Sequence, residues 1–470
     1  MKIKKYIIIV LLMAGLLAPI NSAWSKKQIP ESKRQISLSY ASLVKETAPA
    51  VVNVYTKRVV KQRTRAFSPF MNDPFFQQFF GDRFVGPTRD RIQNSLGSGV
   101  IVKPNGLIIS NAHVIKGADE IIVVLSDGLE MKAKQVLLDE RTDLAVLKVI
   151  DPIEESLPFL KLSDSDNLEV GDLVLAIGNP FGVGQTVTSG IVSAMARTAV
   201  GISDFNFFIQ TDASINPGNS GGALIDMNGK LVGVNTAIYS RDGGSSGIGF
   251  AIPANMVETV IMAAESGGHI VRPWFGGTVQ SITSDIAESL GLKNTKGGMI
   301  NNLHPKGPAI KAGLKSGDII LSINGKEIRD PASLRFRLAM SPIGKKVQLG
   351  VYRNGKNLTL NMKTEPPLED PPRNETIIDG YNPLNGAVIG NLSPAVSEEI
   401  GMGHDETGVV VLRVERATRI GLKPGDVIIS INGIKVSSVK QLKKLLSVQE
   451  RRWNLEIKRG GHIMSVMVSG

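Results

Sequence analysis

Thr211-Asp-Ala-Ser-Ile-Asn-Pro-Gly-Asn-Ser220-Gly-Gly222 is the stretch on which the reading of this chain turns. It places a serine inside a turn flanked by glycine, just ahead of an apolar run, Ala223-Leu-Ile225. Pro217 and Gly218 impose a sharp, non-repeating backbone. Gly221 and Gly222 remove side-chain bulk beside the hydroxyl. The successive amides of Gly218, Asn219 and Ser220 can point the same way and form an anion-binding nest. An acyl-transfer nucleophile needs this combination: an exposed Oγ and backbone donors where a carbonyl oxygen gains charge. A glycine-rich surface turn that happens to hold a serine has the same letters, so the decision rests on what lies upstream.

Upstream stands Ser110-Asn-Ala-His113-Val114, at the end of an apolar run, and His113 is the only histidine of the region between Gly97 and Ile252. Arg141-Thr-Asp143-Leu-Ala-Val-Leu147 then sets an acidic residue at the mouth of another apolar run. Each has a structural reading of its own, a core histidine and a turn-capping aspartate. Together they order His, Asp and Ser within one region, and the chemistry uses all three. A serine hydroxyl is a poor nucleophile until a base takes its proton. Imidazole, with an unperturbed pKa of about 6.5, suits that task. A carboxylate on the other ring nitrogen fixes the tautomer and stabilises the imidazolium.

The surrounding region, Gly97 to Ile252, reads as short strands separated by Gly, Asn and Asp turns. Among them are Gly99–Val102, Gly106–Ser110, Glu120–Leu125, Leu144–Val149, Leu173–Ile177, Gly190–Ser193, Leu231–Val234 and Gly249–Ile252. Such spacing predicts a mainly β domain, a sandwich or barrel rather than alternating β and α. A first strand is expected over Ala48–Thr56, after a short helix opened near Ser39, and a closing helix over Ala254–Ser266. Between Lys57 and Asn94 periodicity disappears, and Phe67, Phe70, Phe75, Phe76, Phe79, Phe80 and Phe84 crowd together. Long loops of this kind are functional more often than idle. This one either packs on its own domain or reaches a neighbouring subunit.

At 470 residues the chain exceeds one core. Its 42% apolar and 21% charged residues are those of globular material. With no cysteine, disulfides, thiolate zinc sites and cysteine nucleophiles are excluded. The five histidines show no metal-ligand spacing, so neither metal nor cofactor is expected. Met1-Lys-Ile-Lys-Lys5, the apolar run Tyr6–Ala18 and small residues up to Ser25 read as a secretory leader, cleaved after Ala23 or, preferred, Ser25. An uncleaved anchor is the alternative, although the run is short of the ~18–20 residues a membrane span needs. An exported chain without cysteine fits the periplasm. The net charge of +11, part of it in the leader, leaves association with an anionic membrane surface open but gives no nucleic-acid signature.

Farther on, Ala312-Gly-Leu-Lys-Ser-Gly-Asp-Ile-Ile-Leu-Ser-Ile-Asn-Gly-Lys326 recurs as Ile420-Gly-Leu-Lys-Pro-Gly-Asp-Val-Ile-Ile-Ser-Ile-Asn-Gly-Ile434. That spacing suits two copies of a small domain. Lys363–Arg373 between them is rich in proline and acid and reads as a stiff linker.

With Leu96-Gly-Ser-Gly-Val100, Ala176-Ile-Gly-Asn-Pro-Phe-Gly182 and Gly247-Ile-Gly-Phe-Ala-Ile-Pro253 added to the motifs above, nearly the whole chain after the leader resembles the HtrA/Deg (protease Do-like) serine proteases. The resemblance implies a chymotrypsin-like double β-barrel followed by two PDZ domains. The divisions are leader 1–25, protease domain 26–267 with a long regulatory loop 57–95, first PDZ domain 268–364, linker 365–384 and second PDZ domain 385–470. It implies His113 as general base, Asp143 as its orienter and Ser220 as nucleophile. The oxyanion hole falls to Gly218, Asn219 and Ser220. Thr236, Ala237, Ile238 and Tyr239 would pair with the substrate backbone. Ile238, Ile248 and Phe250 would shape a small apolar pocket that favours cleavage after Val or Ala. Phe275, Gly276 and Gly277 would grip a peptide C-terminal carboxylate, although Gly277 stands where the family usually has a bulky aliphatic residue. No equivalent loop is evident in the second copy, whose role is ligand binding or assembly.

The Phe-rich loop would reach a neighbouring subunit, without the cysteine pair some members carry there. Segments near Arg197–Phe205 and Arg241–Ser246 would reorder on activation. The implied activity is ATP-independent cleavage of unfolded envelope proteins by a homotrimer or a multiple of it. The alternatives are a holdase chaperone with secondary proteolysis and a PDZ scaffold; the intact triad argues against the scaffold.

Overall fold

The computed structural model describes residues 39–60, 91–179, 184–197, 207–238, 245–268, 270–402, 406–415, 420–448 and 450–469. The leader, the cluster Phe67–Phe84, Tyr239 and most of the two segments expected to reorder lie outside these residues. A short helix, Ala41–Thr47, follows Ser39, whose Oγ accepts the Ala41 amide.

The first barrel closes in the order β1-β2-β3-β6-β5-β4. Its strands are β1 (Val51–Val60), β2 (Arg91–Lys103), β3 (Leu107–Asn111), β4 (Glu120–Val124), β5 (Glu130–Asp139) and β6 (Leu144–Val149). Val54, Ile101, Ile108, Val123, Ala145 and Leu147 fill its interior. Two features depart from the sequence expectation. β5 went unread because its buried Met131 and Ala133 alternate with Glu130, Lys132 and Lys134, a half-buried strand hidden by its charges. The β1/β2 ladder also runs out to Lys57↔Asn94 and Val60↔Arg91, into a stretch read as irregular, because backbone pairing needs no apolar period.

The second barrel closes in the order β10-β11-β12-β9-β8-β7. It comprises β7 (Leu173–Gly178), β8 (Thr186–Arg197), β9 (Phe208–Thr211), β10 (Ala223–Ile225), β11 (Leu231–Ile238) and β12 (Gly249–Pro253). Val174, Val192, Ile209, Leu224, Val232 and Ala251 form its core. The helix Ala254–Glu265 buries Met256, Val257, Val260, Ile261 and Ala264 along one face. It packs on both β6 and β11, so a single apolar stripe joins the barrels.

Two smaller sheets follow, each with its own core. The first runs β13 (Gly277–Ser281), β14 (Gly298–Leu303), β15 (Ile319–Ile323), β17 (Lys346–Arg353), β18 (Lys356–Lys363), with β16 (Lys326–Glu327) beside β15. The second runs β19 (Thr376–Ile377), β20 (Ala387–Asn391), β21 (Val409–Val414), β22 (Val427–Ile431), β24 (Arg452–Arg459), β25 (His462–Ser469), with β23 (Ile434–Lys435) beside β22. The repeat seen in the sequence is a repeat of electrostatics as well. Asp318 and Asp426 are both buried, and each takes a two-pronged bond, 2.6 Å on each oxygen, from Arg353 and Arg459. Each arginine also reaches the carbonyl of the repeated glycine, Gly313 or Gly421. The carboxylate bond holds the pKa of each arginine above its ordinary value. Ordered pairing in the second copy begins at Thr376, inside the stretch read as linker, and Ile378 and Leu384 belong to its core.

Candidate active site

His113 and Asp143 both come from the first barrel. Asn111 ends β3, and His113 sits in the short helix Ala112–Ile115 that follows. Asp143 occupies the tight connection from β5 to β6 and has φ of 58°, a left-handed conformation uncommon outside glycine. Its surroundings account for it. The Asp143 carbonyl accepts the Ala112 amide at 3.1 Å and the Asn111 Nδ2 at 2.9 Å. Its carboxylate accepts the His113 amide at 3.0 Å and lies 2.9 and 2.8 Å from His113 Nδ1. A backbone held at this many points tolerates an unfavourable φ.

The connection is tied down from outside as well. Asp139, at the end of β5, accepts bonds from Thr142 Oγ1 and from Arg272, whose side chain is 9% exposed. Burial pulls the pKa of Arg272 below its ordinary value, and the Asp139 charge opposes that shift. Arg141 Nη1 bonds both the carbonyl and the carboxylate of Glu398, in the helix Pro394–Glu399 of the second small domain.

Ser220 belongs to the second barrel. Gly218 (φ 100°) and Gly221 (φ 83°) bracket it, both conformations that a Cβ would strain. A Cβ on Gly221 would also stand 2.1 Å from the Ser98 carbonyl oxygen, and one on Gly222 2.3 Å from that of Ile177. The turn is anchored by Gly221 N donating to Asn235 O at 2.8 Å and Asn235 N donating to Gly222 O at 2.9 Å. Among the described residues the amides of Gly218 and Ser220 donate to no protein group. The Asn219 amide, expected to point with them, donates instead to Asn216 O at 2.9 Å, which closes the turn and turns that N–H away.

Thr236 joins the two halves. Its Oγ1 donates to Asp143 Oδ2 at 2.6 Å, and its carbonyl accepts the Ser220 hydroxyl at 3.2 Å. The Ser220 hydroxyl is thus turned to Thr236, and no hydrogen bond joins it to His113. Thr236 is buried on β11, where Ala237 and Ile238 pair with Phe250 and Gly249 of β12. Phe250 is buried and Ile248 half-buried. A second connection runs through Ser98 of β2. Its amide donates to Ser220 O at 2.8 Å, and its Oγ donates to Gly218 O at 2.6 Å while accepting the Asn179 amide at 2.9 Å. Sequence reasoning assigned Thr236 only a backbone role and Ser98 none. The one available signal was the position of Ser98 between glycines in Leu96-Gly-Ser-Gly-Val100.

Residues 97–234 match the trypsin-like peptidase domain, and residues 289–364 and 410–459 each match a PDZ domain. Over 454 residues the chain is 38% identical to the periplasmic serine endoprotease DegP of Salmonella typhimurium, which spans 94% of this chain and 92% of that protein. The chain belongs to the DegP family of periplasmic serine endoproteases. The Escherichia coli (strain K12) DegP is 37% identical over 462 residues, covering 95% of this chain and 94% of its own. Among solved structures, the HtrA-type protease AlgW with a decapeptide is 44% identical and superposes with a TM-score of 0.52, over 70% of this chain and 99% of that one. This DegP-family chain is accordingly a serine endopeptidase with a trypsin-like domain of paired closed barrels and two PDZ domains.

The PDZ loops can be set side by side. Phe275-Gly276-Gly277 leads into β13, and Gly276 has φ of 79°. In the second domain Asn385-Gly386-Ala387 leads into β20 in the same way, with Gly386 at 86°. The second loop escaped the sequence reading because it carries Leu384 and Asn385 where the first has Trp274 and Phe275.

Proposed function

We propose that this protease cleaves unfolded polypeptides through an acyl-enzyme, with Ser220 as nucleophile, His113 as base and Asp143 as orienter. The observation that carries the reading is the convergence on Thr236: one residue donates to the carboxylate that grips His113 and accepts the hydroxyl of Ser220. With substrate in place, rotation of Ser220 about χ1 hands its proton to His113 Nε2 as Oγ attacks the scissile carbonyl carbon. The amides of Gly218 and Ser220 bind the oxygen that becomes negative. Collapse breaks the C–N bond, and the imidazolium protonates the departing amine. Water, deprotonated by the same imidazole, then hydrolyses the ester and restores Ser220.

Asp143 holds Nδ1–H throughout. The Thr236–Ile238 segment of β11 supplies the edge along which an extended substrate pairs, and Ile248 and Phe250 offer it an apolar pocket. Only an unfolded chain supplies a free strand and exposed apolar side chains together. Phe275 to Gly277 of the first PDZ domain receive a peptide C-terminus. The protein is exported by its leader and works as a homotrimer or a multiple of one.

The test compares wild type with Ser220→Ala on denatured and native casein. Loss of cleavage by about 10⁵-fold or more, with unchanged thermal unfolding and peptide binding, is expected. Residual cleavage within tenfold of wild type would remove Ser220 from its role.

A further inference from the structure

The two PDZ domains differ at the edge where a peptide would add. In the first, β13 is the outermost strand of its sheet, and among the described residues its only strand partner is β14. Among the described residues the amides of Phe275 and Gly276, in the loop before it, donate to no protein group. In the second, β20 is not outermost, because β19 lies against it.

The strap that covers β20 comes from the connecting segment. Asn391 holds one end, its amide donating to Arg373 O at 2.7 Å and its Nδ2 to Pro372 O at 2.8 Å. Thr376 then pairs with Ile389 and Ile377 with Val388, antiparallel. At the other end Ile378 N donates to Ala387 O at 2.9 Å, and Gly386 N donates to Ile378 O at 2.8 Å. The strap therefore runs antiparallel to its acceptor strand and ends at the loop preceding it. A carboxyl-terminal peptide entering a PDZ groove has that polarity. The Ile378 carbonyl takes the loop amide that a terminal carboxylate would take. The Ile378 side chain is buried in the same core cluster as Leu384, Leu442, Leu446 and Trp453. Residues Asn374 to Thr376 also line a hollow with Val439, Lys440 and Lys443, so the strap lies on the side of the helix Val439–Leu446.

We infer that residues 373–378 are a tethered internal ligand of the second PDZ domain, with Ile378 in the terminal position, and that this domain accepts no free C-terminus while they are seated. The connection from Ile378 back to Gly386 is short. A tether of that kind holds its ligand at an effective concentration on the order of millimolar. A free peptide at micromolar concentration is therefore outcompeted about a thousandfold. Peptide recognition then falls to the first PDZ domain, one site per chain.

Hydrogen exchange on the full chain carrying Ser220→Ala tests this, with a random decapeptide library bearing free C-termini as the probe. Without peptide, residues 376–378 and 386–389 are expected to exchange on the order of 100-fold more slowly than coil. With the library, residues 385–391 gain no protection. Coil-like exchange of the strap, or protection of 385–391 by the library, would overturn the inference. Ile378→Gly is expected to free the strap and let the library protect 385–391. A freed strap beside a groove that still ignores peptide would reduce the segment to a structural hairpin and overturn it as well. If that variant does not fold, the measurements on the otherwise unaltered chain decide.

Discussion

The two barrels contribute to the site in opposite styles. The first delivers a closed set of bonds: every oxygen of Asp143 is occupied, by Ala112, Asn111, His113 and Thr236. The second delivers a turn whose amides at Gly218 and Ser220 donate to no acceptor among the described residues and whose hydroxyl meets the Thr236 carbonyl. The difference follows from chemistry. An orienting carboxylate works by not moving, and occupying its oxygens fixes it. An oxyanion site works only if its donors are uncommitted before the charge appears. The first half can therefore be as rigid as any core, whereas the second must keep donors unsatisfied and hold them with glycine backbone.

Asp143→Asn tests the rigid half most severely. It keeps the shape of the side chain, but an amide in place of the carboxylate favours the wrong imidazole tautomer and removes one acceptor. Turnover on a peptide substrate is expected to fall about 10⁴-fold, with KM and thermal unfolding little changed. A loss below tenfold would mean that His113 is oriented by something other than the bonds around Asp143, and the contrast between the halves would fail.

Thr236→Val separates the two services of the residue that links them. The hydroxyl given to Asp143 disappears, and the backbone carbonyl that meets Ser220 remains. A hydrogen bond to a charged group contributes about 1.5–3 kcal/mol. A fall in kcat of roughly 10- to 100-fold is therefore expected at constant KM. Thr236→Ser should restore most of it. A matching loss in the serine variant would indicate packing rather than the hydroxyl.

The sequence disclosed this site unevenly, and the reason lies in what each residue has to be. Ser220 is legible because its turn demands Gly218, Gly221 and Gly222 in fixed places, and a Cβ at 2.1 Å from a carbonyl leaves no substitute at Gly221. His113 and Asp143 are legible as polar residues at the ends of apolar strands. Thr236 and Ser98 are not, since they act through one hydroxyl, or one backbone group, in strands where Thr and Ser are ordinary. The fold behaves likewise. Strands with apolar runs could be read, whereas β5 alternates with charge and the outer β1/β2 ladder rests on backbone pairing alone. The second PDZ loop was missed because φ at Gly386, which is what it shares with Gly276, is a property of backbone and leaves only a glycine in the letters.

Ser98→Ala addresses the contrast where it is thinnest. Ser98 lies on β2, yet its hydroxyl serves the second barrel, donating to Gly218 O and accepting from Asn179 N. The Gly218 carbonyl belongs to the peptide next to the amide proposed to bind the oxyanion, so the bond fixes the plane that aims the neighbouring N–H groups. Alanine removes it while the Ser98 amide still holds Ser220 O. One neutral hydrogen bond is worth about 1 kcal/mol. The expected loss in kcat is therefore only about 5- to 10-fold, and acylation by a small ester should suffer as much as acylation by a peptide, because both develop the same charge. An unchanged kcat would show that the turn holds its shape from its own barrel. A loss confined to KM would show that Ser98 shapes the entrance rather than the oxyanion site. Loss in kcat alone would make the rigid half the mould in which the uncommitted half is set.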